Sequence, residues 1–163
     1  MAEIWDAYDS SFNIIEDLSL VRGEALPDGV FHLVCEVVVR HTDGSFLLMQ
    51  RDPVKPLGGK WELTAGGSAL KGESPAECAF RELREETGIE ADGLTELNRL
   101  VHYGHHTLYV DYLCVTGCEK TSVTLQKGET VAYKWVSAEE LLKIETGSLA
   151  SHRTAGLFFD GKL

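Results

Sequence analysis

Gly67-Ser68-Ala69-Leu70-Lys71-Gly72-Glu73-Ser74-Pro75-Ala76-Glu77-Cys78-Ala79-Phe80-Arg81-Glu82-Leu83-Arg84-Glu85-Glu86-Thr87-Gly88-Ile89 carries both a helix and a concentration of charge. Ser74-Pro75-Ala76-Glu77 joins an N-cap serine, a proline at the first helical position and a glutamate three residues after the cap. Gly88 supplies a left-handed stop, so the spacing predicts a helix over 75–87. At about 100° per residue, Ala76, Ala79, Phe80, Leu83 and Thr87 share one face, the one expected to meet the core. Glu82, Glu85 and Glu86 share another, within an arc of about 100°. Three carboxylates so stacked repel one another unless something positive lies over them. Arg81 can reach Glu85 one turn on, but it sits on the flank and cannot neutralise all three. Hard divalent cations prefer such oxygen ligands, so the face reads as a platform for Mg²⁺ or Mn²⁺. Taken alone, the three glutamates also fit a solvated acidic face on a surface helix.

Working outward, residues 31–40 hold Val37-Val38-Val39, a β-branched run suited to a buried strand. Thr42-Asp43-Gly44 turns it into a second strand over 45–51, a predicted hairpin. Residues 53–60 read as a loop and 60–64 as a short strand. Two more strands are expected at 97–103 and 107–116, joined at Gly104-His105-His106, and another at 131–136. Ser137-Ala138-Glu139-Glu140 has the form of a capping box, opening a helix to about 143, and 148–159 reads as helical too. Residues 1–30, ending near Pro27-Asp28-Gly29, form an extended arm or hairpin before the main domain at 31–163. Strands with helices at uneven intervals indicate an α/β or α+β sandwich around a mixed sheet.

The decisive stretch resembles the Nudix box, G-x5-E-x7-R-E-U-x-E-E-x-G-U with U aliphatic, in full: Gly67, Glu73, Arg81-Glu82-Leu83, Glu85-Glu86 and Gly88-Ile89. Fixed letters at such spacing arise by chance on the order of once in ten million chains or fewer. Trp61 and Gly66-Gly67 before the box, and Glu129, Trp135 and residues 136–141 after it, extend the resemblance. It implies the Nudix α/β/α sandwich and Mg²⁺- or Mn²⁺-dependent hydrolysis of a nucleoside diphosphate linked to another moiety. It also implies that Glu82, Glu85 and Glu86 are metal ligands, with a backbone carbonyl near Gly66 or Gly67 completing the set. Gly67, Glu73 and Gly88 would be structural parts of the box, and Arg81 would pair with Glu73 while contributing to the catalytic centre. A general base is needed as well; Glu85, Glu86 and Glu129 are the candidates.

Phe31-His32-Leu33-Val34 and the place of Glu129 also resemble isopentenyl-diphosphate isomerase, a Nudix-fold enzyme that moves a double bond. That enzyme uses a cysteine followed by Gly-His before the box, whereas this chain has Thr64-Ala65-Gly66-Gly67. A non-catalytic nucleotide-binding module is the remaining alternative. Arg51, Arg22, Lys55 and Lys60 are candidates for a distal phosphate or sugar, and Trp61, Trp5, Tyr8 and Tyr103 for stacking on a base. His32, and His102, His105 and His106 near one turn, are read as structural or substrate-facing before metal-binding. Cys78, beside the acidic face, carries a thiol too soft for Mg²⁺ and is expected to pack.

Composition narrows the partners. The 163 residues hold 15 basic and 26 acidic side chains, a net charge of −11, which disfavours a nucleic-acid polymer and makes a phosphate-bearing small molecule depend on an intervening cation. A chain of this length suits one domain that folds without disulfides. The four cysteines, Cys35, Cys78, Cys114 and Cys118, make no C-x-x-C pair and are expected to be reduced thiols. No apolar run reaches membrane-spanning length and residues 1–9 lack the pattern of a secretory signal, so a cytoplasmic protein is expected. The apolar residues of the arm would suit a homodimer contact.

Overall fold

The computed structural model describes residues 1–144, 146–159, 161 and 163. Strands β1 (Ile4–Tyr8) and β2 (Ile14–Val21) form an antiparallel hairpin. The main sheet contains β3 (His32–His41), β4 (Phe46–Arg51), β5 (Trp61–Glu62), β6 (Thr64–Ser68), β7 (Thr95–His102), β8 (Thr107–Thr116) and β9 (Thr130–Val136). Among the described residues three helices accompany it: α1 (Pro75–Thr87), α2 (Ala138–Lys143) and α3 (His152–Phe159). No described helix is long and apolar enough to cross a membrane.

The sheet is mixed: β3 and β8 run parallel in continuous register from His32↔Thr107 to His41↔Thr116, and the other pairings between the named strands are antiparallel. Strand alternation sends side chains to two cores. Leu33, Cys35, Val37, Val39, Leu47 and Met49 meet Cys78, Ala79 and Leu83 of α1 on one face. Val38, Phe46 and Leu48 meet Leu141 of α2 on the other. This is the expected α/β/α sandwich.

The site is made where β3 and β4 part. They pair at Arg40↔Phe46, after which β3 continues beside β6 and β4 beside β5. The expected single strand at 60–64 is therefore two: the chain crosses the gap at Leu63, and β6 runs on through Gly66 and Gly67. A Cβ at Gly66 would strike the carbonyl of Cys35 on β3, so only glycine fits there.

Helix α1 begins and ends where its caps predict. Ser74 Oγ accepts from Glu77 N, Glu77 Oε2 accepts from Ser74 N at 2.8 Å, and Gly88 adopts φ 71° with its N–H on Arg84 O. Its orientation differs from the wheel reading. Cys78, Ala79, Leu83, Glu86 and Thr87 are buried, whereas Ala76 and Phe80 are exposed. The sheet lies closer to the glutamate side than the apolar count implied, and it takes Glu86 into the interior. The C-terminal helix is shorter than 148–159, beginning at His152 after a 3₁₀ turn at Thr146–Ser148.

Candidate active site

Arg81 organises the acidic face. Its Nε and Nη2 donate to the two oxygens of Glu73 at 2.6 and 2.9 Å, a bidentate pair that ties α1 to the loop before it. Nη1 donates to Glu82 Oε1 at 2.6 Å and to Glu85 Oε2 at 3.3 Å, while Nη2 also reaches Ser68 O. The reading that Arg81 pairs with Glu73 is seen directly, and Arg81 proves to bridge two of the three box carboxylates besides.

Glu82 and Glu86 face β6. The Glu82 carboxylate lies over Gly67 so closely that a Cβ there would come within 2.5 Å of its oxygen. Gly67 O accepts from Cys78 Sγ at 3.6 Å, and Gly66 N donates to Glu86 Oε2 at 3.2 Å. Glu86 is only 8% exposed. Burial, then the Glu82 and Glu62 carboxylates, push its carboxyl well above the ordinary range; burial also raises Glu82 and Glu62. A single N–H bond is little compensation for a buried carboxylate, so this side chain calls for either a proton or a cation.

Two adjoining cavities open onto these groups. The outer one, about 200 Å³, is lined by Glu82, Glu85 and Glu86, by Gly66 and Gly67, by Lys55 and Glu129, and by Glu3 and Arg22 from the hairpin. The inner one, about 120 Å³, shares Lys55, Gly66, Glu86 and Glu129, and adds Glu36, Arg51, Glu62, Thr64 and Thr130. Glu129 pairs with Lys55, and Arg51 with Glu62. Larger hollows of about 500, 430 and 250 Å³ lie elsewhere, but none of the three includes Glu82, Glu85, Glu86 or Glu129, so chemistry and not size selects the site.

The structure thus brings together Glu82, Glu85, Glu86, Gly67, Arg81, Glu129, Arg51 and Arg22, with Glu73 behind them and Gly88 at the helix end. Trp61 lines neither cavity; its ring lies under Lys134 Nζ at 4.2 Å. Trp5 is buried and stacked on His32, Tyr8 is in the core, and Tyr103 is exposed with its edge on Phe31. His102 and His105 stack on each other away from the carboxylates. No cysteine lines either cavity, and Cys35, Cys78 and Cys114 are fully buried.

Glu3, Glu36, Glu62 and Thr130 were not legible as site residues. A signal did exist for Glu36: a lone acid between Cys35 and Val37 in a strand reading as buried. Hard carboxylate oxygens beside a glycine carbonyl suit Mg²⁺ or Mn²⁺. Among the described residues no three such side chains converge as a preformed cage; Glu82 and Glu85 are paired with Arg81, and Glu129 with Lys55.

Comparison with known proteins shows the family and the fold. A family model described as the NUDIX domain matches residues 30–154. An uncharacterized Nudix hydrolase of Listeria monocytogenes is 37% identical over 74% of this chain and 72% of its own. The ADP-ribose pyrophosphatase of Bacillus subtilis is 30% identical over 86% of this chain and 79% of its own. In fold, the crystal structure of DR0079 from Deinococcus radiodurans superposes with a TM-score of 0.77 at 19% identity, covering 97% of this chain and 98% of that one.

Proposed function

This chain belongs to the Nudix hydrolase family, and from that premise we propose that it cleaves, with Mg²⁺ or Mn²⁺, the diphosphate bond of a nucleoside diphosphate linked to another moiety. The observation that carries the reading is the meeting of Glu82, Glu85, Glu86 and Glu129 around one cavity floored by Gly66 and Gly67. The relative named as an ADP-ribose pyrophosphatase supports the substrate class without identifying the substrate.

In this reading Glu82, Glu85, Glu86 and the Gly67 carbonyl hold the metal. When bound, the metal neutralises the diphosphate oxygens and makes water a better nucleophile. The chain's own residues do the rest. Arg81 fixes the rotamers of Glu82 and Glu85 while Glu73 fixes Arg81. Glu129, with Glu85 and Glu86 as the alternatives, accepts the proton of the attacking water. Lys55 orients Glu129, Arg22 presents positive charge to the phosphates from the wall of the outer cavity, and Arg51, paired with Glu62, adds its charge from the inner one. The isomerase alternative lacks support, since no thiol faces the cavities.

The test is a hydrolysis screen with Mg²⁺ and Mn²⁺ over nucleoside triphosphates, oxidised nucleotides, sugar nucleotides, dinucleotides and prenyl diphosphates, with Glu86→Gln as control. Metal-dependent turnover of one nucleotide class, absent in the control, is the expected result. Interconversion of isopentenyl and dimethylallyl diphosphates without hydrolysis would replace this reading with the isomerase.

A further inference from the structure

The inner cavity has a feature that the box residues do not explain. Thr130 is 5% exposed, and among the described residues its Oγ1 is the buried side-chain polar atom with no hydrogen-bond partner in the protein. The position is made by a bulge. Along β4 and β9, Gln50 pairs with Ala132 but Arg51 pairs with Thr130, so Val131 is an extra residue. Bulges re-aim the side chains beside them. Here Val131 is left exposed, while Glu129 and Thr130 both line the inner cavity.

A polar cavity of about 120 Å³ has room for several waters. Its walls offer the acceptors Glu36, Glu62, Glu86 and Glu129 and the donors Arg51 and Lys55. A buried hydroxyl beside such walls is satisfied by water.

We infer that the inner cavity is a water chamber anchored on the Thr130 hydroxyl, and that Thr130 is a positioning residue which feeds the nucleophile to Glu129. This rests on the hydrolase reading above. Hydrolysis consumes one water per turnover, and the chamber shares Glu86, Glu129, Gly66 and Lys55 with the outer cavity where the diphosphate would lie. The water held by Glu129 forms the new O–P bond, its proton passes to the Glu129 carboxylate, and the anhydride P–O bond breaks with its electron pair on the departing phosphate. The next water in the chain, hydrogen-bonded to Thr130, takes its place.

The test pairs Thr130→Val, which removes the hydroxyl at nearly constant volume, with Thr130→Ser, which keeps it. A high-resolution crystal structure of the wild type should show ordered water within hydrogen-bond distance of Thr130 Oγ1, linked to Glu129. The valine variant should then melt no higher than the wild type, because removing a water-satisfied hydroxyl forfeits its hydrogen bonds, whereas removing a dry, unpartnered one relieves its desolvation cost. On the nucleotide selected by the screen, Thr130→Val should lower kcat about tenfold with KM within about twofold, and Thr130→Ser should restore it. A dry Oγ1 together with a higher melting temperature in Thr130→Val overturns the inference. Full activity in Thr130→Val, with Glu129→Gln inactive, also overturns it while sparing the base assignment. Full activity in Glu129→Gln sinks that assignment and the feed to Glu129 with it.

Discussion

Arg81 touches three carboxylates at once, and that contact offsets their mutual repulsion on the helix face without a metal. Its planar fork serves Glu73 with two parallel bonds, which a lysine cannot reproduce. Arg81→Lys should therefore keep the fold but weaken Mn²⁺ binding and turnover together by about tenfold, measured by titration and initial rates. Glu86 is different, since its burial leaves a cation or a proton as its natural partner. Glu86→Gln should lose turnover by about a hundredfold or more with the circular dichroism spectrum unchanged. His32 gives a prediction of another kind. Burial lowers its imidazole to about 4, between the Trp5 ring and Thr107 Oγ1 at 2.9 Å. Below about pH 6.5 the unfolded chain takes up a proton that the folded chain refuses, so this group removes stability as pH falls towards 4. Its contribution should be about 2 kcal/mol by pH 4.5. Chemical denaturation of His32→Gln should accordingly show a smaller loss of stability from pH 6.5 to 4.5 than the wild type.

At the scale of the element, α1 was the most legible part of the chain because its ends are decided locally. Ser74, Pro75, Glu77 and Gly88 act within a few residues of where they stand, and the helix spans Pro75–Thr87 as their spacing predicts. Gly88→Ala places a Cβ in a left-handed conformation and 3.2 Å from Thr124 Cβ. It should cost about 1–2 kcal/mol, read as a lower denaturation midpoint. The buried face was less legible. Periodicity counts apolar residues, and it put Phe80 inward, but the helix seats itself by the small Cys78 and Ala79 and by Leu83, which are fully buried against β3 and β6. Leu83→Ala should cost about 2–5 kcal/mol in the same assay, whereas Phe80→Ala should cost much less. The expected single strand at 60–64 is two because a crossing between two neighbours leaves no local mark: Trp61 and Glu62 pair with β4, and Thr64 onward with β3.

At the scale of the whole molecule, the site is a consequence of how the sheet divides. Parting of β3 and β4 beyond Arg40↔Phe46 opens a gap that the Gly66-Gly67 strand enters, with α1 packed on that strand and on β3. Residues far apart in the chain, Glu36, Glu62, Glu86 and Thr130, then share one chamber. Sequence spacing identified the box glutamates because they lie on one helix, and Glu129 by resemblance. The remaining walls depend on strand pairing across the sheet and on a bulge at Val131, neither of which a linear pattern encodes. The hairpin adds Glu3 and Arg22 to the outer wall from residues that lie before the matched domain. On the proposed function, a chain with a net charge of −11 would meet its polyanionic substrate through a cation held at this point. The most direct measurement is a Mn²⁺ titration followed by electron paramagnetic resonance, comparing the wild type with Glu86→Gln. Saturable binding in the wild type, weakened at least about tenfold in the variant in step with turnover, is the predicted result. Equal binding in both proteins would contradict it.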